Sequence, residues 1–395
     1  MKIAWVSSWP PRHCGIATYS AELVEALRRE GVNVHIVCHT DGGMAGEKNV
    51  YPVIDTGFSG WDEKLYDTIE KIKPDVIHIQ HEFGLYNTSG DNASILFRPL
   101  FRWRVKGTIP VVITYHSVYT VLNKMISTYM DVIQRLCHAG IVHAVYQWAN
   151  LPANLGRVPS NVYIIPHGAK GRVSVSAHDA KKALGIEGKK VLGLLGWFTP
   201  TKGFDKVLSI WDEISEQIGT DAVLLLAGDA RMGSKVQEEY KNKLMEIAKR
   251  CRASDKIKTV IGSFSPEEYE KILSSFDAMV MPYTFASQSG NLAHSLSMGV
   301  PVVVSGIEGL KAEVEASGAG IAVDPGDTEE LKRALVNIMK DDDLRRKYSK
   351  NAIKYVNDKI SWPITAGKHI KLYKKLIAGL KEKKKDIRSE ALLES

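Results

Sequence analysis

The sequence predicts an α/β fold built from two Rossmann-like, doubly wound domains. Short apolar runs rich in β-branched residues alternate with helix-length amphipathic segments, which is typical of parallel sheets whose crossovers are helices. This alternation begins afresh near residue 190, with KKVLGLLGWFTPTKGFDKVLSIW, after a first series that ends near Gly168. A chain of 395 residues is long enough for two domains that each bury a core.

We therefore divide the chain into three segments. Residues 1–170 form an amino-terminal Rossmann-like domain, residues 171–360 a carboxy-terminal Rossmann-like domain, and residues 361–395 a helix that crosses back and ends in a basic tail. Two domains joined near residues 169–190 are expected to face each other across a cleft, and clefts between domains are favoured ligand sites.

The first domain opens with strand, loop, helix and strand in KIAWVSSWPPRHCGIATYSAELVEALRREGVNVHIVCH. Apolar residues from Ile16 to Leu27 follow the helical period, and Gly31 is placed to end the helix. The loop contains Gly15 but no G-x-G-x-x-G fingerprint, so a dehydrogenase is disfavoured. A single glycine still allows a ligand to approach the backbone closely.

Two later strands of this domain end in polar residues. KIKPDVIHIQHEFGLYN delivers His81 and Glu82 into a loop, and TIPVVITYHSVYT delivers His116. Ligands of doubly wound sheets lie beyond the carboxyl ends of the strands, so Glu82 and His116 are expected to converge there. His78 falls inside its strand and is predicted to be an interior histidine. AGIVHAV and NVYIIPHGAKG add two further strand-to-loop units.

The second domain continues with predicted strands in AVLLLAGDAR, KIKTVIG, FDAMVMPY, PVVVSG and AGIAV. After the third of these, the stretch YTFASQSGNLAHSLSMGVPVVV predicts a Ser/Gly turn, a helix that ends at Gly299, and the next strand. The first N–H groups of such a helix are free and lie at the positive end of its dipole, which attracts phosphate. The alternative is an ordinary crossover helix capped by Ser289.

Composition restricts the class of protein. The apolar, aromatic and charged fractions of 44%, 8% and 25% are those of a soluble globular protein. Four scattered cysteines without CxxC spacing predict reduced thiols in a cytoplasmic protein. Met1 leads directly into a short strand, and no apolar run approaches membrane-spanning length, so neither a signal sequence nor a membrane span is expected.

The net charge of +7 lies in the carboxy-terminal segment. Between Lys368 and Arg388 there are nine Lys or Arg and two Asp or Glu residues, so the remainder is formally neutral. This distribution does not indicate a basic face for nucleic acid. The segment predicts a solvated helix with a frayed tail, and the alternative is weak attraction to an anionic membrane surface.

A second basic stretch raises the same alternative. In LFRPLFRWRVKG, aromatic residues alternate with Arg98, Arg102, Arg104 and Lys106. The simpler interpretation is a core-facing helix with a basic outer side and Pro99 in its first turn. The other is peripheral binding to anionic lipid.

Taken together, these motifs resemble the large retaining glycosyltransferase family four, which has the GT-B fold. The resemblance covers nearly the whole chain and rests on a shared order of segments: PPRHCGIATYS, IHIQHEFGLYN, TYHS, VYIIPHG, GWFTPTKGFDKVL, LLLAGDAR, DAMVMPY and SGNLAHSLSMGVPVVVS. It implies a cytoplasmic enzyme that transfers a hexose, with retention, from a nucleoside-diphosphate sugar bound by the second domain. The acceptor, on the side of the first domain, would be a glycan, a lipid-linked acceptor or a small molecule. Neither a metal nor another cofactor is expected.

The resemblance also assigns roles to single residues. His116 matches the histidine that contacts the transferred sugar, Lys202 the lysine that neutralises the donor diphosphate, and Gly15 the loop glycine beside that diphosphate. The helix start that would receive the distal phosphate and sugar hydroxyls comprises Ser287, Gln288, Ser289, Gly290 and Asn291.

Glu82 is the best placed carboxylate of the first domain. It would orient a hydroxyl of the acceptor or of the sugar, and with His116 and Lys202 it completes the predicted catalytic set. The alternative is a loop residue that pairs with a neighbouring cation.

Two departures from the family pattern affect the predicted donor site. Many members carry Gly-Arg before the lysine, whereas Trp197 follows Gly196 here, and Arg231 in GDARMG is the available substitute. Many also carry a Glu-x7-Glu signature, whose positions are occupied here by Ala286 and His294, so the chain resembles a subgroup with an SG-x-LA segment instead. His294 could still hydrogen-bond to a nucleotide hydroxyl.

These departures leave two alternatives open. One is a GT-B-fold epimerase or phosphorylase, the latter using phosphate or bound pyridoxal phosphate. The other is a non-catalytic relative that binds sugar nucleotides.

The DDD run at 341–343 predicts a helix start, not a metal site, because carboxylates are favoured near the positive end of the dipole.

Overall fold

The computed structural model describes residues 1–86, 95–171, 175–286 and 289–393, with side chains up to residue 382. The backbone divides into two compact units, unit 1 (Met1–Gly168 with Trp362–Ser395) and unit 2 (Ala169–Ser361). Each unit contains one fully parallel sheet with helical crossovers. The predicted fold class, α/β with two Rossmann-like domains, is confirmed.

Unit 1 contains seven strands and six helices among the described residues. The strands are β1 (Lys2–Ser7), β2 (Asn33–His39), β3 (Val50–Ile54), β4 (Val76–His81), β5 (Val111–Tyr115), β6 (Ala139–Val142) and β7 (Val162–Ile164). Five of the helices are α1 (Gly15–Arg29), α2 (Trp61–Ile72), α3 (Phe97–Lys106), α4 (Lys124–Leu136) and α5 (Val145–Leu155), and a 3₁₀ turn covers Phe83–Leu85.

The sheet of unit 1 has the order β3-β2-β1-β4-β5-β6-β7, and the strand order reverses between β1 and β4. In β4, every residue is buried, because the strand lies between two neighbours and beneath helices. The edge strand β3 was not predicted from the sequence. It contains Pro52, which lacks a backbone N–H, and among the described strands it pairs with β2 alone.

Unit 2 is built on a six-stranded sheet. Its strands are β8 (Lys190–Leu195), β9 (Ala222–Gly228), β10 (Ile257–Ile261), β11 (Ala278–Met281), β12 (Val302–Ser305) and β13 (Gly320–Val323). Its α-helices are α6 (Ala177–Ala183), α7 (Phe204–Ser209), α8 (Trp211–Ile218), α9 (Lys235–Arg250), α10 (Pro266–Ser274), α11 (Gly290–Met298), α12 (Glu308–Ser317), α13 (Thr328–Lys340) and α14 (Asp342–Tyr355). Short turns cover Pro200–Lys202 and Ser254–Lys256 (both 3₁₀) and Val356–Ile360 (π-helical).

The strand order of this sheet is β10-β9-β8-β11-β12-β13, so the reversal falls between β8 and β11. The loops that follow β9, β8 and β11 therefore leave the same edge of the sheet side by side. Two sequence predictions are confirmed in this unit. Gly299 ends α11 with a φ of +69°, and Asp341 caps α14 by accepting a hydrogen bond from the backbone of Leu344 at 2.8 Å.

The last helix, α15 (Trp362–Leu393), belongs to unit 1 and packs against α1. The indole of Trp362 donates a hydrogen bond to Glu22 Oε2 at 3.0 Å, and Tyr373 is completely buried. A Cβ on Gly168 would lie 2.0 Å from the ring of Trp362, so only glycine fits at this position. Within the described ranges, no helix has both the length and the apolar character that a membrane crossing needs.

Candidate functional site

The predicted residues of unit 1 lie at the carboxyl edge of its sheet. Gly15 is the first residue of α1, directly after the loop that follows β1. It is exposed, and no heavy atom lies within 4 Å of the position that a Cβ would take. The backbone at the start of α1 is thus open to a ligand, at the positive end of the helix dipole.

His116 follows β5 and is half-buried. Its backbone N–H donates to the carbonyl of His81 at 3.0 Å, and its Nε2 lies 3.0 Å from Oε1 of Gln80. The edge of its ring packs against Tyr19, with 4.9 Å between the ring centroids. Burial lowers the pKa of His116 well below its ordinary value, and the neighbouring His143 and His167 lower it further. His116 is therefore a neutral imidazole near pH 7.

Three aromatic side chains around His116 were missed as site residues. Tyr19, His143 and His167 pack pairwise, with ring centroids 4.9–5.5 Å apart. His143 donates from Nδ1 to the carbonyl of Ile165 at 2.9 Å, and burial lowers its pKa to about 3. The available signal was positional, since IVHAV places His143 directly after β6 and VYIIPHG places His167 three residues after β7.

Glu82 has a structural contact that the sequence did not reveal. Its Oε2 accepts a hydrogen bond from the backbone N–H of Gly84 at 2.7 Å, which caps the turn Phe83–Leu85. Among the described residues, no Lys or Arg lies within ion-pair distance of Glu82. One carboxylate oxygen is therefore committed to the loop.

The remaining predicted residues lie in unit 2, where Lys202 follows β8. Its Nζ lies 3.7 Å from the centroid of the buried Tyr283 ring, in a cation–π contact. The next residue, Gly203, has a φ of +61°, and a Cβ there would lie 2.2 Å from the carbonyl oxygen of Pro282. Only glycine therefore fits in the turn that carries the lysine. No described carboxylate lies within 4 Å of Nζ. The positive charge thus has no counter-charge among the side chains that the structure describes.

The start of α11 follows β11, which is the neighbour of β8 in the sheet. Ser289 caps the helix by accepting a hydrogen bond from the backbone N–H of Leu292 at 3.4 Å. Over the part of the chain that the structure describes, the backbone N–H groups of Gly290 and Asn291 have no acceptor. Ser287 and Gln288 lie outside the described residues.

The side chain of Asn291 anchors the helix start to the sheet. Its Nδ2 donates to the carbonyl of Leu195 at 2.7 Å and to Tyr283 Oη at 3.3 Å, and its Oδ1 accepts from Tyr269 Oη at 2.9 Å. The carboxamide is used structurally, so what Asn291 offers a ligand is its backbone N–H. Gly196 is required beside it, since a Cβ there would lie 2.8 Å from Nδ2.

Arg231 and His294 are the two remaining residues predicted for the donor site of unit 2. The guanidinium of Arg231, in the loop after β9, lies 5.4 Å from the ring centroid of Trp197 and is exposed. His294 lies in α11 with its ring edge against Tyr269, and burial, assisted by Lys170, lowers its pKa to about 4. It is therefore a neutral helix residue, able to hydrogen-bond but without charge.

The unit 2 residues thus bring together a lysine, a helix start with two available N–H groups and an exposed arginine, all at one edge of one sheet. Such a set suits a diphosphate. Within the described ranges, no three His, Cys, Asp or Glu side chains lie together in a way that could hold a metal ion.

Two known families match successive parts of the chain. Residues 14–170 match the family described as Glycosyltransferase Family 4, and residues 176–355 match Glycosyl transferases group 1. The chain belongs to the GT-B glycosyltransferases. The predicted family is confirmed at this level.

Individual relatives of this glycosyltransferase are distant. It is 28% identical over 202 residues to the D-inositol 3-phosphate glycosyltransferase of Corynebacterium urealyticum, a match that covers 51% of this chain and 47% of that relative. It is 23% identical to an uncharacterized glycosyltransferase of Methanocaldococcus jannaschii, over 95% of this chain and 98% of that one. Among solved structures, HepE of Anabaena in complex with UDP has a TM-score of 0.75 at 16% identity, covering 95% of this chain and all of that one.

The buried histidines of the glycosyltransferase predict destabilisation in mild acid. Burial lowers the pKa of His81 and of His143 to about 3, and that of His369 to about 4. The folded state keeps these rings neutral while the unfolded chain takes up protons below its ordinary pKa of about 6.5. The free energy of unfolding should therefore fall as the pH falls from about 6.5 towards 4, by about 1.4 kcal/mol per pH unit and histidine at most.

Urea unfolding of the full chain near pH 7.5 and near pH 5 measures this loss. His81→Phe, which removes one of the rings, should make the dependence shallower by about one proton. A free energy of unfolding that is equal at both pH values would show that the rings are not neutral in the folded state.

Proposed function

We propose that this glycosyltransferase moves a hexose from a nucleoside-diphosphate sugar to an acceptor hydroxyl, with retention of configuration and without a metal. The observation that carries the proposal is that Lys202 and the start of α11 follow two adjacent strands, β8 and β11. Lys202 supplies a full positive charge, and Gly290 and Asn291 supply two N–H groups that have no described acceptor. Both features favour a ligand with two linked phosphates.

The proposed chemistry follows from where charge develops. The bond between the anomeric carbon and the diphosphate oxygen breaks, so negative charge grows on the leaving diphosphate. Lys202 and the dipole of α11 stabilise this charge more strongly in the transition state than in the bound donor. The acceptor oxygen bonds to the anomeric carbon on the face that the diphosphate leaves. Its proton passes to a departing phosphate oxygen, so no protein nucleophile or metal is needed.

In unit 1, His116 is the residue proposed to contact the transferred sugar. Its neutral ring, fixed by a backbone and a side-chain hydrogen bond, is suited to a hydroxyl and unsuited to a phosphate. Glu82 is proposed to orient a hydroxyl through the carboxylate oxygen that does not cap the turn. Gly15 is proposed to let the diphosphate approach the start of α1.

Arg231 is proposed to contact the diphosphate of the donor, and His294 its nucleotide. Arg231 is exposed beside Trp197 and replaces the arginine that is missing before Lys202. His294 is proposed to hydrogen-bond to a nucleotide hydroxyl as a neutral ring. The roles of Ser287 and Gln288 remain predictions from the sequence. Ser289 caps α11, and its contact with the donor also remains a prediction.

The comparisons support a uridine nucleotide as the first donor to test. HepE, which shares the fold, has been solved with UDP and with UDP-glucose. The acceptor is proposed to be a glycan, a lipid-linked molecule or a small polyol. The last choice follows the name of the relative that acts on D-inositol 3-phosphate.

Peripheral contact with an anionic membrane is not supported by α3. Arg98 lies 3.0 Å from Asp62, Arg102 lies 2.6 Å from Glu63, and Lys106 pairs with Glu70. Carboxylates of α2 thus neutralise three of the four basic side chains of α3. Arg104 alone adds charge. The carboxy-terminal basic segment is therefore the part of the chain on which a proposal of membrane contact rests.

Two substitutions should fail in different ways. His116→Ala should lower the transfer rate roughly a hundredfold or more while leaving nucleoside diphosphate affinity nearly unchanged, because only a contact to the sugar is lost. Lys202→Ala should weaken nucleoside diphosphate binding as well as the rate, because the charge holds the diphosphate of the bound donor and stabilises the transition state still more strongly. Calorimetry with UDP or GDP, beside a product assay, reads both quantities.

Lys206→Ala is the matched control for Lys202. Lys206 lies four residues later, in α7, and its Nζ donates to the carbonyl of Pro325 at 3.2 Å. Its removal changes the net charge equally and should leave both quantities near the parental values. Equal losses in the two lysine variants would reduce the role of Lys202 to general charge, and a parental rate for His116→Ala would refute the sugar contact.

The metal-free proposal has its own test. Transfer measured in excess EDTA should keep the parental rate, because Lys202 and α11 carry the diphosphate charge. Loss of transfer on chelation, restored by magnesium or manganese, would show that a metal ion shares that charge.

A further inference from the structure

A chain of side-chain hydrogen bonds runs through the interior of unit 1 from α15 to His116. Tyr373 Oη lies 2.6 Å from His78 Nδ1. On the other side of that ring, His78 Nε2 lies 3.1 Å from Gln80 Nε2 and 2.8 Å from Thr114 Oγ1. Gln80 Oε1 then lies 3.0 Å from His116 Nε2. The first and last members are far apart in the sequence but linked through three bonds.

This chain is closed off from water. Tyr373, His78, Gln80 and Thr114 are all 0% exposed. A buried polar atom without a hydrogen bond costs free energy, and each of these side chains obtains its bonds from the next member. The arrangement of donors and acceptors along the chain is therefore constrained as a unit.

The carboxamide of Gln80 sets the direction of the chain, because one end accepts and the other donates. Its oxygen points to His116, so Nε2 of His116 carries the hydrogen, and Nδ1 is the acceptor of that neutral ring. Its nitrogen points to His78, so Nε2 of His78 accepts, and the hydroxyl of Thr114 donates to the same atom. Nδ1 of His78 then carries the hydrogen and donates to Tyr373.

We propose that Gln80, His78 and Tyr373 are positioning residues that hold His116 as the tautomer protonated at Nε2, with Nδ1 as the acceptor for a hydroxyl of the transferred sugar. This inference rests on the proposed function of His116. It also gives α15 a part in the reaction, because the last member of the chain belongs to that helix. None of the three touches the sugar; each acts through the next.

The surroundings of the chain keep its histidines neutral. His78 packs against the edge of Trp5, with 4.6 Å between the centroids, and against His369. His369 donates from Nδ1 to the carbonyl of Thr365 at 2.8 Å. Burial lowers the pKa of His78 well below its ordinary value, and His369 and His143 lower it further. A neutral His78 has one donor and one acceptor, as the chain requires.

The tautomers can be observed directly. Nitrogen-15 NMR of the full chain, labelled at histidine and assigned with His116→Ala, should show the proton of His116 on Nε2 and that of His78 on Nδ1 near pH 7. In Gln80→Met, which is similar in length but has neither a donor nor an acceptor of this strength, the ring of His116 should become a mixture of tautomers. A wild-type His116 protonated on Nδ1 would overturn the proposal.

Kinetics separate positioning from simple stabilisation. With UDP-glucose, or GDP-mannose if GDP binds better, Gln80→Met should lower kcat about tenfold and leave KM within about twofold. Tyr373→Phe, which removes only the far end of the chain, should lower kcat a few-fold. It also serves as the test if Gln80→Met does not fold.

Tyr129→Phe is the matched control. Tyr129, in α4, is buried, and its Oη lies 3.0 Å from Nε2 of His81, so its loss also breaks a buried Tyr–His bond. It should lower stability like Tyr373→Phe but leave kcat and the tautomer of His116 unchanged. Equal kcat losses in the two tyrosine variants, or a parental kcat in Gln80→Met, would refute the positioning role. Failure of the proposed function looks different, because His116→Ala would then keep the parental rate whatever the tautomers are.

Discussion

All described strands in each unit run in the same direction, and this constraint decides where chemistry can occur. Parallel strands deliver every following loop to one edge of the sheet, and the loops separate where the strand order reverses. In unit 1 the reversal lies between β1 and β4, and in unit 2 between β8 and β11. Gly15, Glu82 and His116 follow β1, β4 and β5, while Lys202 and Gly290 follow β8 and β11. The position of each proposed residue is a consequence of strand order.

Within unit 2, rigidity and charge are supplied by different residues. The side chain of Asn291 hydrogen-bonds to Leu195, Tyr269 and Tyr283, which holds the start of α11 to the end of β8. Tyr283 also lies under Lys202, so one buried ring contacts both the cation and the anchor of the helix. Preorganisation of this kind is what transition-state stabilisation requires, because nothing needs to move as charge develops.

The sequence was informative where the pattern is local and uninformative where partners are distant. The period of the apolar residues predicted the alternation of strands and helices, and Gly299 and Asp341 were identified at helix ends because end signals are local. The bond from Asn291 to Leu195 and the chain from His116 to Tyr373 join residues that only the tertiary structure brings together. The same holds for α3, for which binding to anionic lipid stood as an alternative and whose basic side chains pair with carboxylates of α2. Glu82 was recognised as a carboxylate at a strand end, but its role as a cap depends on the conformation of Gly84.

The proposed function requires the start of α11 and Lys202 to receive the diphosphate of a sugar nucleotide. The most direct measurement is the backbone amide NMR signals of Gly290 and Asn291 during titration with UDP, GDP, ADP and inorganic phosphate. We expect that one nucleoside diphosphate shifts both signals at lower concentration than phosphate does, and that Lys202→Ala weakens this response. Amides of Gly290 and Asn291 that stay unchanged while a nucleoside diphosphate shifts signals elsewhere in the chain would contradict it, and a response to phosphate alone would favour a phosphorylase.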